Sequence, residues 1–294
     1  MKLYTKKITN LSSVIFELCR IRLAILVSLS AIAGYVAAQG KLSGGILFLV
    51  AGIFCLSCGA SALNQYHEQK VDALMERTKN RPIPSKRIHP NNALYIALFF
   101  ITCGLIVLYI GSSIVEVILG LFALLWYNII YTYLKKKSVF AVIPGAVVGI
   151  IPPVIGWIMG GGNFSDPKIV VLIFFFFIWQ IPHFGIFLLM HGNEYEKAGL
   201  PTLTKNFTFN QLTRILYIWI LATAESCLLI LLFGIIQSYL VCLCIFGIIF
   251  LLIWNAIKVL RLNGDSTSVR FAFRGFNIYI FLFIIFLSVD SLIR

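Results

Sequence analysis

The sequence predicts an all-α polytopic membrane protein, with nine transmembrane helices around a central cavity and a single domain over residues 1–294. Three observations predict it. First, 60% of the residues are hydrophobic and only 12% are charged, about half the roughly 25% charge of a soluble domain. Second, apolar runs of the ~20 residues needed to cross a hydrocarbon core recur along the whole chain. Third, the basic residues fall almost entirely in alternate loops. This composition excludes a soluble globular enzyme, a disordered chain and a secreted disulfide scaffold.

The runs, in order, are Leu23–Ala38, Gly44–Leu63, Leu94–Ile110, Ile114–Tyr131, Val139–Met159, Ile169–Met190, Leu212–Ile236, Leu240–Val259 and Phe276–Ile293. None shows the polar–apolar alternation of a membrane β-barrel, so each is read as a helix. The first run is too long for a signal-peptide core, and no small-residue cleavage site follows it, so it is read as a span. Pro152-Pro153 in span five is expected to kink that helix and widen a cavity, and the Phe174–Phe177 run in span six to face lipid or the core.

Loop charges test the count. Basic residues precede span one (Lys2, Lys6, Lys7, Arg20, Arg22) and follow span two (Lys70 to Arg87), span four (Lys135 to Lys137), span six (Lys197, Lys205, Arg214) and span eight (Lys258, Arg261, Arg270, Arg274). Those loops hold 21 of the 24 lysines and arginines, and only Lys41, Lys168 and Arg294 fall on the other side. The positive-inside rule then places the amino terminus in the cytoplasm and the carboxyl terminus outside, in a cell inner membrane. The net charge of +13 is thereby topological, and nucleic acid is not expected as a partner. Cys55 and Cys58 form a CxxC in mid-span without a second pair, which reads as packing by small apolar residues.

Span two runs into Asn64-Gln-Tyr-His-Glu68-Gln-Lys-Val-Asp72. Asn64, Glu68 and Asp72 are spaced four apart, so a helix continuing from the span stacks them on one face. Oxygen-bearing side chains on one face at a membrane surface suit Mg²⁺, which takes carboxylates together with phosphate oxygens. Arg77, Lys79 and Arg81 follow directly, and cations beside such a face point to a diphosphate. The competing reading is a solvated juxtamembrane helix. It is weakened by the clustering of Glu68, Asp72 and Glu76 within nine residues of a chain that has eleven acids.

Span six ends in Trp179-Gln-Ile-Pro182-His183-Phe184 and continues to Asn193-Glu194-Tyr195-Glu196. Spans two and six emerge on the same side, so spans 1–4 and 5–8 read as parallel internal repeats, with span nine added. Two acidic clusters facing one cavity can hold metal around one diphosphate. His183, inside the cytoplasmic half of span six, is either a satisfied intramembrane histidine or an acceptor contact. Tyr131, Lys135 and Lys136 at the end of span four are placed to reach the diphosphate, although positive-inside anchoring explains the lysines equally well. Arg22 at the entrance to span one is either an interfacial anchor or a partner for a substrate carboxylate.

These residues resemble the first aspartate-rich motif of the UbiA-type intramembrane prenyltransferases. Asp72-Ala-Leu-Met75-Glu-Arg77-Thr78-Lys-Asn-Arg81-Pro82, Leu134-Lys135-Lys136, Ile151-Pro152-Pro153-Val-Ile-Gly156-Trp157, Trp179-Gln-Ile-Pro182-His183-Phe184 and Tyr195-x-x-Ala-Gly-Leu-Pro201 are similar to the protoheme IX farnesyltransferase (heme O synthase) branch. The likeness covers roughly residues 17–214 in order and spacing. It implies a UbiA-like nine-helix fold, farnesyl diphosphate as donor, heme B as acceptor and Mg²⁺ as cofactor. It assigns Asn64, Glu68, Asp72 and Glu194 to metal and catalysis, and Arg77, Arg81, Tyr131, Lys135 and Lys136 to diphosphate. His183 and Arg22 are candidates for the acceptor. The chain departs from the family in having Glu at 68 and 194 where Asp is usual, and Lys70 where a further acid is common.

The implied reaction ionises an allylic diphosphate in a water-poor cavity, and the vinyl group of heme B attacks the cation to give heme O. Two alternatives stay open. One is the same transfer to a quinone precursor or lipid acceptor, and the other is a heme-binding membrane carrier. A carrier has no need of Asn64, Glu68 and Asp72 on one face.

Overall fold

The structure is a computed structural model that describes residues 11–293. Lys2, Lys6, Lys7 and Arg294, used above for topology, lie outside the described residues. Helical backbone over residues 11–18 precedes the spans. The helices that follow are α1 (Ile21–Gln39), α2 (Gly45–Asp72), α3 (Pro90–Gly111), α4 (Ile114–Leu125), α5 (Val142–Met159), α6 (Pro167–Ile178), α7 (Gln180–Lys197), α8 (Phe209–Leu232), α9 (Tyr239–Leu260) and α10 (Ser266–Leu292). A π-helical turn over Trp126–Tyr131 extends α4, and α6 and α7 form one span broken only at Trp179. Among the described residues, nine stretches are long and apolar enough to cross a membrane.

The ends differ from the apolar runs in an instructive way. Span two extends to Asp72 and span six to Lys197, well past Leu63 and Met190, because both helices continue into their polar motifs. Span nine begins at Ser266, ten residues before its apolar run. Asp265 starts it by accepting from the backbone N–H groups of Thr267 and Ser268, an N-cap that satisfies two otherwise orphaned donors. Single acids elsewhere do similar work. Glu116 closes a capping box with Ser113, and Asp290 receives the backbone N–H groups of Gln237 and Ser238 where α9 begins.

Consecutive spans pack against one another around the molecule, and α10 closes the ring on α1. The ring is drawn in where α1 crosses α5. There a β-carbon on Gly34 would collide with the Pro153 carbonyl, and one on Gly156 with the Ala31 carbonyl. Glycine is required at both positions because backbone meets backbone. Helix α5 continues through Pro152-Pro153, and the Pro153 backbone is where α1 approaches it at Gly34. Phe175 and Phe176 are buried, whereas Phe174 is exposed. Cys58 packs with buried Cys19 and Ala24 in an apolar cluster.

Gly156→Val is expected to lower the melting temperature of the detergent-purified protein, since overpacking of this kind costs about 1–3 kcal/mol. Gly44→Ala, where a β-carbon meets open space, is the control that should melt as wild type.

Candidate active site

The site is built at the end of the bundle where α2 leaves the apolar layer. Asn64, Glu68 and Asp72 lie on the buried face of α2, as their four-residue spacing dictates, at 5%, 4% and 1% exposure. Charges this far from water must be met from within the protein. Arg81 Nη1 lies 2.8 and 2.6 Å from the two Asp72 carboxylate oxygens. Lys135 Nζ lies 3.0 and 3.2 Å from those of Glu68. Burial opposes the Lys135 charge, and the Glu68 carboxylate outweighs it, holding the ammonium above the ordinary lysine pKa.

Local chemistry explains how each partner arrives. The Thr78 hydroxyl, fully buried, donates to the Asp72 carbonyl at 2.8 Å. It thereby ends α2 and turns the chain so that Arg81 returns to Asp72. Asn64 Nδ2 donates to Thr132 Oγ1 at 3.2 Å, and Thr132 Oγ1 donates to the Tyr127 carbonyl at 2.9 Å. The bond back to a residue five earlier fits the wide π turn at Trp126–Tyr131, a feature frequent at functional sites. Tyr127 and Tyr131 stack across it, with centroids 5.9 Å apart and planes at 12°.

The second motif meets the first. The Arg77 backbone N–H donates to Glu194 Oε2 at 3.1 Å, and His191 Nδ1 lies 3.4 Å from Glu194 Oε1. The Arg77 guanidinium lies 5.1 Å from the Phe187 ring, and Lys135 Nζ 5.4 Å from the Tyr195 ring. Protein crowding, with the like charges of Arg81 and Arg20, pulls Arg77 below the ordinary arginine pKa against the opposing Tyr195 and Glu194. Helix α7 stops just beyond this contact. Gly199 takes φ +76°, and the Leu200 N–H reaches the Tyr195 carbonyl, a Schellman-type ending that only glycine adopts without strain. Glu196 turns away to Thr202 and Thr204.

The structure does not bring every candidate together. Lys136 and Arg22 are exposed and make no contact with the cluster. Arg20 does the reverse. It holds a left-handed backbone at φ 48°, is half-buried and lies near enough to Arg77 for the two like charges to oppose each other. Two residues on along a helix is more than half a turn, which separates the sides on which Arg20 and Arg22 fall. Lys70 is exposed on the outer side of α2, away from the buried carboxylate face. Glu76 pairs with Lys79 in solvent. His183 is tied to Asn277 of α10, 2.6 Å between Nδ1 and Oδ1. Arg20, His191, Thr132 and Asn277 were not singled out as site residues by the sequence, and only Arg20 carried a signal there, as one of the two arginines before span one.

Among the described residues, no three His, Cys, Asp or Glu side chains gather closely enough to hold a metal. The donor set at hand is two buried carboxylates plus Asn64, whose amide nitrogen is committed to Thr132. Few hard oxygens, with the remaining positions left to phosphate and water, fit Mg²⁺.

Among the described residues the molecule is thus a bundle of nine candidate membrane spans that carries, at one end, two buried acids each matched by a cation. The sequence pattern of the UbiA prenyltransferase family matches residues 27–283, and the chain belongs to that family. It is 39% identical over 217 residues to a protoheme IX farnesyltransferase of Geobacter sulfurreducens, covering 74% of this chain and 80% of that protein. With the enzyme of the same name from Nitratidesulfovibrio vulgaris strain DP4 it shares 34% identity over 201 residues, covering 67% and 70%. The fold is similar to a digeranylgeranylglyceryl phosphate synthase structure (TM-score 0.77, 14% identity, 96% and 99% of the two chains). It is also similar to a UbiA homolog from Archaeoglobus fulgidus bound to GPP and Mg²⁺ (TM-score 0.72, 16% identity, 96% and 100%).

Lys135→Ala strands the Glu68 carboxylate, and is expected to cost about 1–3 kcal/mol in thermal unfolding, less than a fully buried pair because Lys135 keeps some solvent. Adding Glu68→Gln to Lys135→Ala should recover most of that loss without restoring turnover.

Proposed function

We propose that this prenyltransferase moves a farnesyl group from farnesyl diphosphate to a vinyl group of heme B, giving heme O, with Mg²⁺ as cofactor. The observation that carries the reading is the pairing of the buried Glu68 and Asp72 with Lys135 and Arg81, beside Glu194 of the second motif on the Arg77 backbone amide. The acceptor and donor follow the names of the relatives, and the Mg²⁺-bound archaeal homolog supports the cofactor.

In this reading Asn64, Glu68 and Asp72 would hold the metal, which when bound supplies positive charge to the departing diphosphate, and Glu194, held on the Arg77 amide, would complete the set from the second motif. Arg77, Arg81 and Lys135 take the phosphate oxygens, Tyr131 lines the same pocket, and Arg20 adds a cation that the sequence reading passed over. Arg81 and Lys135 already sit against carboxylates, so a diphosphate and its cation exchange partners with them. The net charge of the site changes little on loading. The allylic C–O bond breaks with its electron pair leaving on diphosphate, and the helices exclude water from the carbocation. The vinyl π bond forms the new C–C bond, water adds to the resulting cation, and a proton is released. His183 lies in the wall against which the acceptor rests. Arg22 and Lys136 serve membrane anchoring.

We also place the enzyme in the cell inner membrane, amino terminus and active site on the cytoplasmic side and carboxyl terminus outside. The charge asymmetry of the loops supports this. The meeting of the span-two and span-six motifs supports parallel repeats over spans 1–4 and 5–8.

Purified protein given Mg²⁺, farnesyl diphosphate and heme B should yield heme heavier by a farnesyl group plus water in mass spectrometry. Asp72→Asn should lose turnover by at least ~100-fold while eluting as folded protein, as removal of transition-state charge stabilisation implies. Unmodified heme beside a prenylated quinone precursor or lipid would overturn the acceptor. Near-normal turnover in Asp72→Asn would overturn the metal site.

A further inference from the structure

His183 and Asn277 are linked by a chain of hydrogen bonds that fixes where the imidazole carries its proton. Asn277 Nδ2 lies 2.6 Å from the Phe273 carbonyl, one turn back on α10. A backbone carbonyl only accepts, so the amide NH₂ must face it and Oδ1 must face His183. That amide oxygen also only accepts. The neutral imidazole therefore carries its hydrogen on Nδ1, which donates to Asn277 Oδ1 at 2.6 Å. Nε2 is left with its lone pair, and among the described residues no hydrogen bond engages it.

The ring itself sits among aromatic side chains. The His183 ring is braced by Trp179, Phe184 and Phe273 at centroid distances of 5.4, 5.4 and 5.2 Å. Phe273 contacts Phe187 at 6.2 Å, and Phe187 lies under the Arg77 guanidinium. One aromatic wall thus runs from His183 to the charged cluster. Within it Trp179 Nε1 is a buried donor with no acceptor among the described residues, an orphan of the kind a ligand's oxygen atom satisfies.

We propose that Asn277 is a positioning residue that locks His183 as the Nδ1–H tautomer, so that Nε2 ligates the metal centre of a planar macrocyclic acceptor stacked along this wall. The proposal rests on the acceptor reading given above. A neutral imidazole whose Nδ1–H is held by an amide oxygen is an oriented, basic ligand for a transition metal. The apolar faces of a macrocycle match the aromatic side chains, and its carboxylate edge matches the cationic end of the wall.

Wild type, His183→Ala, Asn277→Leu and Asn277→Asp are to be titrated, without prenyl donor, with ferric heme B and with metal-free protoporphyrin IX. Size-exclusion chromatography checks folding. Wild type should give the absorption and electron paramagnetic resonance signature of histidine-ligated iron. His183→Ala and Asn277→Leu should lose it, with heme affinity falling about 10–100-fold. Asn277→Asp still accepts from Nδ1–H and should retain it. The metal-free macrocycle should bind all four proteins within about twofold. An unchanged iron signature in His183→Ala overturns the ligand, and one unchanged in Asn277→Leu overturns the positioning role. In either case wild type still binds heme and makes heme O. Wild type that binds no heme while prenylating another acceptor overturns the acceptor reading as well.

Discussion

A carboxylate almost free of water has to have its charge answered by the protein, and in this chain two such groups stand one helical turn apart. Glu68 and Asp72 are at 4% and 1% exposure. An ion in that setting is several kcal/mol unfavourable unless paired and hydrogen-bonded. Much of the surrounding structure follows from supplying Lys135 and Arg81. Thr78 caps α2 to bring Arg81 back, and the widened turn at Trp126–Tyr131 sets the end of span four against Asn64. Glu194 fastens the second motif to the Arg77 amide.

The bundle makes this arrangement possible by extending selected helices. Most spans are little longer than a hydrocarbon core requires. Spans two and six run to 28 and 31 residues, and the extra turns carry the polar motifs beyond the apolar layer. The closed ring of helices, with α10 on α1, then holds the two extensions side by side. The same closure brings Asn277 of α10 to His183 of α7, so one wall of the site depends on the final helix as well as on the motifs.

The parts legible in the sequence are those governed by local periodicity. Nine apolar runs become nine candidate spans among the described residues, and a four-residue spacing becomes one buried face carrying Asn64, Glu68 and Asp72. The parts not legible depend on contacts between distant segments. The π turn exists where Thr132 meets Asn64 and where Gly145 leaves room for the Tyr131 ring, and no local pattern announces it. Arg20 and Arg22 are equivalent as charges in a sequence. The structure tells them apart by the left-handed residue at Arg20, which follows carbonyls of Glu17 and Leu18 that accept from the distant Gln65. Asn277 sits in an apolar run, where a lone amide gives no hint of its partner.

Glu68 and Asp72 are already neutralised by Lys135 and Arg81, and in the proposed reaction a diphosphate and its cation enter by exchanging with those pairs. Calorimetric titration of Mg²⁺ and of an unreactive farnesyl diphosphate analogue, each alone and then together, tests it most directly. Mg²⁺ alone should bind weakly and the two together with strong cooperativity, because phosphate must draw the basic side chains away before the carboxylates are open to metal. Tight Mg²⁺ binding with no diphosphate present would contradict it.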